Sequence, residues 1–365
     1  MSDSEEESKL PSREECELRC QQFAEITGTD SALAMFYLQD REWNLDRAVN
    51  AFFEEQSGPV NSCGVSVNVM ELTRSSPASE TTDTGKSELS QSSTEDEVME
   101  EPHRLRVLSW NIDGLDTNNI KNRTKGVCYI INRKCVFCRE KPHIVFLQEV
   151  VPVSLEVLEK HCTSYQIIPG NESGYFTAVL LRVGDVVFKD SVVIQFPGSL
   201  MGRNLLTVKC EVKGVKLCVL TSHLESTKDS STERKRQLQE CFKRVKDADK
   251  MDTVIFGGDL NLRDKEIMEI GGLPEHLYDI WEVTGKRPEA KFTWDMRRND
   301  NLEFPGKFKP TCRFDRLYIR HSHPDKYIKP VYFELVGLEK LPCNRFPSDH
   351  WGILTHYDKI NTVKK

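Results

Sequence analysis

The chain has 365 residues, 38% of them hydrophobic and 29% charged, with a formal charge of −7 and 12 cysteines. That length suggests two or so domains, one of them large enough for a substantial core, and the composition is ordinary for a soluble globular protein. No run of about 18 apolar residues offers a membrane span, and the acidic start Met1-Ser-Asp-Ser-Glu-Glu-Glu7 is expected to be neither a signal nor a transit peptide.

The charge is unevenly spread. Residues 1–102 carry 7 basic and 23 acidic side chains, a net of −16, which leaves 43 basic and 34 acidic, a net of +9, for residues 103–365. An acidic arm is joined to a basic body, and the body has the balance expected of a polyanion binder. Cysteines without a secretory signal are expected to be reduced thiols, in the nucleus or cytoplasm. Cys135-x-x-Cys138 has no second pair at zinc-site spacing, so no structural zinc is expected there.

In chain order, residues 1–11 are acidic and expected to be disordered, and residues 12–56 are expected to form three short helices. Ser12 and Glu15 make a capping box for the first, which carries Leu18, Phe23 and Ile26. Gly28 and Asp30 break it, Leu33, Phe36 and Tyr37 follow, and Trp43-Asn44 marks the next break. Leu45, Ala48, Val49, Phe52 and Phe53 then lie at the spacing of a third amphipathic helix. A bundle this small cannot house an active site of its own and reads as a partner-binding module. The pattern from Phe23 through Phe53 resembles a ubiquitin-associated domain. The resemblance implies ubiquitin binding through the first loop and the third helix, here Ile26, Thr27, Gly28 and Phe52.

Residues 57–102 are expected to be a disordered acidic linker. Up to residue 101 they contain no aromatic side chain, and 15 of 45 are Ser or Thr, too little apolar surface to offset the entropy of ordering.

Residues 103–365 alternate short apolar strands with amphipathic helices. Strands are predicted at 105–110, 143–148, 176–181, 205–212, 215–221, 253–256, 314–319, 332–336 and 352–355, and helices near 124–137, 152–161 and 232–249. Many strands with a few helices over one long region suggest a single α/β sandwich.

Polar residues recur where these strands end. Asn111 closes the first strand, Gln148-Glu149 the second and Thr221-Ser-His223 another. Asp259 and Asn261 follow Val254-Ile-Phe-Gly-Gly, and Ser348-Asp-His350 precedes the last strand. If those ends converge, they build a carboxylate, amide and imidazole cluster suited to a hard cation with phosphate beside it. No Gly-x-x-x-x-Gly-Lys-Ser/Thr loop or strand-borne Gly-x-Gly-x-x-Gly is present, which argues against a nucleoside triphosphate or dinucleotide cofactor.

The blocks Ser109-Trp-Asn-Ile-Asp-Gly114, Leu147-Gln-Glu149, Gly257-Gly-Asp-Leu-Asn261 and Ser348-Asp-His350 resemble, in this order, the endonuclease/exonuclease/phosphatase family that includes DNase I. Thr221-Ser-His-Leu-Glu-Ser226, Gly258-Asp-Leu-Asn-Leu-Arg-Asp264 and Phe292-Thr-Trp-Asp295 look like the 5′-tyrosyl-DNA phosphodiesterases within it. The resemblance implies a four-layer αββα sandwich behind the three-helix bundle, and Mg²⁺ (or Mn²⁺ as a substitute) held by Glu149 with Asp349. It further implies that Asp259 positions and deprotonates the attacking water, while Asn111 and Asn261 fix that water or the phosphate. His350, held as an imidazolium by Asp315, would stabilise the phosphorane, and His223 and Ser226 would contact phosphate oxygens.

The implied substrate is DNA bearing a 5′-linked tyrosyl peptide, as a trapped type II topoisomerase leaves, with protein-linked RNA 5′ ends as a secondary one. Arg203, Lys228 and Arg263 flank the catalytic blocks. Tyr175, Trp294, Leu302, Phe304 and Phe314 offer an apolar wall on which a terminal base of a single-stranded 5′ end could stack. Rival readings are an abasic endonuclease or exonuclease, a lipid phosphodiesterase, and a ubiquitin-binding adaptor with an inert back half. The absence of a membrane-binding segment disfavours the lipid enzyme, and an inert half has no reason to keep Asn111, Glu149, Asp259, Asn261 and His350 together.

Overall fold

Strands buried on both faces organise the basic body. The computed structural model describes residues 13–27, scattered positions between 34 and 49, and residues 104–132, 141–302 and 309–360. Near the start, α1 (Arg13–Thr27) begins directly after the predicted capping residue Ser12. Cys20, Phe23, Ala34, Leu38, Trp43 and Ala48 bury one another in a small core of their own. Asn44 Oδ1 accepts the Arg47 amide at 3.0 Å, as the capping residue of a helix does. The linker, Gly28 and Phe52, the side chain of Ile26, Phe304 and the Cys135/Cys138 pair lie outside the described residues.

The body runs β1 (Arg104–Asn111), α2 (Ile120–Asn132), β2 (Ile144–Val150), α3 (Pro152–His161), β3 (Tyr165–Pro169), β4 (Phe176–Arg182), β5 (Val186–Gln195) and β6 (Asn204–Val212). It continues with β7 (Val215–Ser222), α4 (Ser231–Asp247), β8 (Thr253–Asp259), α5 (Asp264–Glu269), β9 (Leu277–Asp279) and α6 (Ile280–Val283). A two-strand ribbon, β10 (Trp294–Asp295) and β11 (Thr311–Cys312), precedes β12 (Asp315–Arg320), β13 (Ile328–Val336) and β14 (Gly352–Lys359).

Two six-stranded mixed sheets result, ordered β13-β14-β1-β2-β4-β3 and β5-β6-β7-β8-β12-β9. Val107, Phe146, Val179, Val208, Val219, Ile255 and Ile353 fill the space between them. Val127 and Ile131 of α2 and Val157 and Leu158 of α3 cover the outer face of the first sheet. Leu238, Cys241, Phe242 and Val245 of α4 cover the second. The order helix, sheet, sheet, helix is the expected four-layer sandwich. Among the described residues no helix is long and apolar enough to cross a membrane.

The topology explains why one edge collects the polar strand ends. β1 and β2 run parallel in the first sheet, as do β7 and β8 in the second, so each pair ends on the same side. β14 and β12 pair antiparallel with β1 and β8, and therefore start where those strands finish. Gly258 makes the close approach possible. Its φ is +135°, and a Cβ there would lie 2.2 Å from the Ser222 carbonyl oxygen.

Several elements depart from the predicted ones. α2 begins at Ile120 rather than near 124, and β13 at Ile328 rather than 332. β3, β5, β9, the β10–β11 ribbon, α5 and α6 were absent from the prediction. β5 and β3 are sheet edges, and most of β5 is exposed, so its sequence lacks the dense apolar run of the central strands. The remaining elements span two to six residues, too short to show a period.

Candidate active site

The edge shared by both sheets holds a network centred on Asp259. Its carboxylate Oδ2 accepts Asn111 Nδ2 at 2.9 Å and lies 3.3 Å from His223 Nε2 and 3.8 Å from His350 Nε2. Oδ1 accepts the Asn261 amide at 3.0 Å. Burial on its own would raise the Asp259 pKa, but the imidazoles of His223 and His350 and the Asn111 amide outweigh it. The carboxyl is held well below the usual range.

Each neighbour is fixed in turn. Asn111 Nδ2 also reaches Glu149 Oε1 at 3.1 Å, while its Oδ1 accepts the Asp113 amide at 2.9 Å. Glu149 and Asn261 adopt φ of +56° and +50°, a conformation non-glycine residues rarely take. At Glu149 the β2–β4 ladder shifts register between Leu147 and Val150. Both strained residues sit in the cluster, where surrounding contacts over-determine them.

His350 Nδ1 donates to Asp315 Oδ2 at 2.8 Å, and the His350 carbonyl accepts Trp110 Nε1 at 2.9 Å. Burial lowers the His350 pKa, but Asp315, then Asp349 and Asp259, outweigh that and raise it well above the ordinary imidazole value. Ser348 Oγ donates to the Asn111 carbonyl at 2.6 Å and accepts the His350 amide at 3.0 Å, tying the two blocks together.

Asp349 Oδ2 accepts Trp294 Nε1 at 3.0 Å. Burial, then the charges of Asp349 and Glu149, push the Asp113 carboxyl up to about 8 against the pull of Arg123. The charges of Asp113, Asp349 and Glu149 thus oppose one another, and mutually repelling anionic oxygen is what a hard cation such as Mg²⁺ relieves. The donor set fits such an ion. Among the described residues, the possible ligand atoms that lie within 4.8 Å of one another belong to Asp259, Asp315 and His350. There the short Asp315–His350 contact occupies the imidazole Nδ1, so that group reads as an acid–base relay.

Most of the predicted binding residues surround this cluster. Arg203 is buried and its Nη1 donates to His223 Nδ1 at 2.6 Å, while its guanidinium carbon lies 4.8 Å from the Tyr175 ring centroid. Trp294 and Phe314 rings are 5.6 Å apart, Phe314 is 6.4 Å from the His350 ring, and Arg263 lies 6.0 Å over Phe314. Ser226 Oγ contacts Met201 Sδ at 3.2 Å, and Lys228 is half-buried at the start of α4, where its carbonyl accepts the Ser231 amide. Leu302 is exposed, and Thr27 Oγ1 donates within α1 to the Phe23 carbonyl at 2.7 Å. Four residues with no predicted role also bear on the cluster: Asp113, Arg123 paired with its carboxylate, Thr293, whose Oγ1 accepts the Asp315 amide at 3.1 Å, and buried Glu225. Asp113, Thr293 and Glu225 lie inside the motifs at 109–114, 292–295 and 221–226, which is the signal available in the sequence; nothing local marks Arg123.

Comparison with known proteins agrees with this geometry. Residues 108–350 match the Endonuclease/Exonuclease/phosphatase family and residues 19–59 a UBA-like domain. The chain is 40% identical over 364 residues to human tyrosyl-DNA phosphodiesterase 2, covering 97% of this chain and 96% of that one. Identity to the Xenopus laevis protein of the same name is 41%, over 94% of this chain and 93% of the other. A crystal structure of D. rerio TDP2 complexed with single strand DNA product is similar with a TM-score of 0.67 and 41% identity, covering 70% of this chain and 99% of that one. A crystal structure of TDP2 from C. elegans, 33% identical with a TM-score of 0.62, covers 98% of this chain and 97% of its own. With its site residues converging on one edge of this sandwich, the chain belongs to the tyrosyl-DNA phosphodiesterase 2 family of endonuclease/exonuclease/phosphatase enzymes.

Proposed function

We infer that this enzyme hydrolyses the phosphodiester joining a protein tyrosine to a DNA 5′ end, leaving free tyrosine on the protein and a ligatable 5′-phosphate. The observation that carries the reading is the position of Asp259, whose one carboxylate oxygen faces Asn111, His223 and His350 together. An aspartate kept ionised there aligns a water for in-line attack and takes its proton as the bond to phosphorus forms. His350, backed by Asp315, and His223 supply positive or donor groups where charge builds on the phosphorane oxygens. The leaving group is a phenolate whose conjugate acid has a pKa of about 10, so it needs less help from a general acid than a sugar alkoxide would.

Members of the family are metal-dependent, and Glu149 with Asp349 would hold Mg²⁺, or Mn²⁺ in its place. Such an ion supplies charge neutralisation on the phosphoryl oxygens. Trp294, Phe314 and Tyr175 offer ring faces, and Arg203 and Arg263 cations, to a single-stranded 5′ end. The D. rerio relative crystallised with a single-stranded DNA product supports that substrate class. A trapped type II topoisomerase remnant is the natural source of such ends, which makes the role DNA double-strand-break repair in the nucleus. Protein-linked RNA 5′ ends, with the same bond, would be processed in the cytoplasm. The UBA-like segment would bring ubiquitin or ubiquitylated adducts to the enzyme.

Incubation with Mg²⁺ and oligonucleotides carrying a 5′-phosphotyrosine, an abasic site or a 3′-phosphotyrosine tests the reading. Preferential release of tyrosine from the 5′ adduct is expected. Faster incision at the abasic site would move the enzyme to the abasic-endonuclease branch of the fold. Ubiquitin titration followed by NMR tests the front module.

A further inference from the structure

Glu225 is a carboxylate in a place that needs explaining. It is 1% exposed, and among the described residues its four hydrogen-bond donors are a hydroxyl and three amides, none of them a cation. Oε1 accepts the backbone amides of Leu200 at 2.9 Å and Met201 at 3.1 Å. Oε2 accepts Ser199 Oγ and Gln237 Nε2, each at 2.9 Å. Arg234 donates to the Glu225 main-chain carbonyl instead, at 2.8 Å. A buried carboxylate with no cationic donor is satisfied only when its lone pairs are filled this completely.

The donors locate what the carboxylate is for. Three of the four belong to the turn between β5 and β6, and that turn ends on Arg203. Ser199 Oγ, which donates to Glu225, also accepts the Arg203 amide at 2.8 Å. Arg203 then reaches His223 Nδ1 at 2.6 Å with a guanidinium that can only donate. The His223 ring proton must therefore sit on Nε2, which lies 3.3 Å from Asp259 Oδ2.

We propose that Glu225 is a positioning residue for phosphodiester hydrolysis: it anchors the 199–201 turn so that Arg203 accepts no other geometry than donation to His223 Nδ1, leaving the Nε2–H of His223 aimed at the reaction centre. The proposal rests on the phosphodiesterase reading for its consequence, but the positioning itself is a property of the unliganded protein. Replacing the carboxylate by an amide is disruptive at constant size, because a glutamine turns an NH₂ toward donors on one of its two sides.

Two measurements on the full-length protein test this. Long-range ¹⁵N NMR of the protein without added metal reads which His223 nitrogen carries the proton. The parent protein is expected to show Nε2–H alone, and Glu225→Gln and Ser199→Ala a mixture of tautomers. In steady-state assays on a 5′-phosphotyrosyl oligonucleotide, each variant is expected to lose about 10- to 100-fold in kcat, the range typical of outer-shell partners. Ser199 is half-buried in a turn, so Ser199→Ala keeps the test available if Glu225→Gln fails to fold. Ser199→Thr, which keeps the hydroxyl, should restore both readouts. The losses should also be non-additive with Arg203→Ala. An unchanged tautomer in Ser199→Ala, or losses that multiply with Arg203→Ala, would overturn the positioning role. A parent enzyme that released no tyrosine would overturn the phosphodiesterase reading and leave the tautomer result standing.

Discussion

Asp315 and His350 meet at 2.8 Å with both side chains buried, and Asp315 stands directly opposite Asp259 in the β12–β8 ladder. One imidazole thus lies between two carboxylates on neighbouring strands of one sheet. Nδ1 is committed to Asp315, and Nε2 lies 3.8 Å from Asp259 Oδ2. The second Asp315 oxygen, Oδ1, is buried and makes no hydrogen bond within 3.5 Å among the described residues, so the carboxylate has His350 as its main obligation.

Because Asp315, Asp349 and Asp259 raise the His350 pKa well above its ordinary value, the cation persists through neutral pH. Activity that needs it is present below the raised pKa and lost as pH climbs through it. Asp315→Asn is expected to cut kcat by roughly 10²- to 10⁴-fold, as loss of an imidazole-orienting carboxylate does elsewhere. It should also move the alkaline limb of the kcat/KM profile to lower pH. A limb that stays in place would show that His350 is not the group titrating.

Glu149→Ala and His350→Ala should each lose several orders of magnitude in kcat while keeping most of the affinity for a DNA 5′ end. Chelation by EDTA should abolish turnover of the parent enzyme, Mg²⁺ should restore it, and Mn²⁺ should substitute. Asp113 crowds the same carboxylates, so calorimetry should show the metal binding more weakly in Glu149→Ala. Turnover within a few-fold of the parent in Glu149→Ala would remove it from the site.

A stability prediction comes from His143, far from the chemistry. Its Nδ1 accepts the Arg106 amide at 3.1 Å. Burial, then Arg182, Lys213 and Arg106, lower its pKa from 6.5 to about 2. The unfolded chain takes up that proton below 6.5 and the folded one does not, so stability is lost as pH falls from 6.5 toward 2. Between pH 7 and pH 5 the contribution is about 2 kcal/mol. Urea midpoints at the two pH values check it: His143→Gln should be less stable at pH 7 but show a smaller drop on acidification.

Deleting residues 1–102 removes a segment with a net charge of −16 and leaves a body of +9. Non-specific affinity for duplex DNA at low salt should rise, and the difference should shrink as salt screens the acidic arm. Equal affinities at low salt would mean the arm and the body do not share an electrostatic neighbourhood.

The catalytic constellation was legible in the sequence because each member flanks an apolar run that reads as a buried strand, Asn111, Glu149 and Asp259 at its end and His350 just before its start. Asn111, Glu149, Asp259 and His350 follow from that pattern together with a family resemblance, and they share one hydrogen-bonded network in the structure, His350 joining it through Ser348. Glu225 shows where such reading stops. It sat inside the motif Thr221–Ser226, yet its partners Ser199, Leu200 and Met201 lie about 25 residues away across the β6–β7 hairpin.

Residue spacing by itself determined the charge division, the strand-rich α/β body, the helical module in front and the identity of the polar strand ends. Those are local properties, written in periodicity and composition. Which edge the ends share, which oxygen of Asp259 they converge on, and which nitrogen of His223 keeps its proton were decided by the parallel β1–β2 and β7–β8 pairings and by the packing of one sheet on the other. Hydrogen-bond direction and pKa depend on neighbours brought together through space, and only the folded chain supplies them.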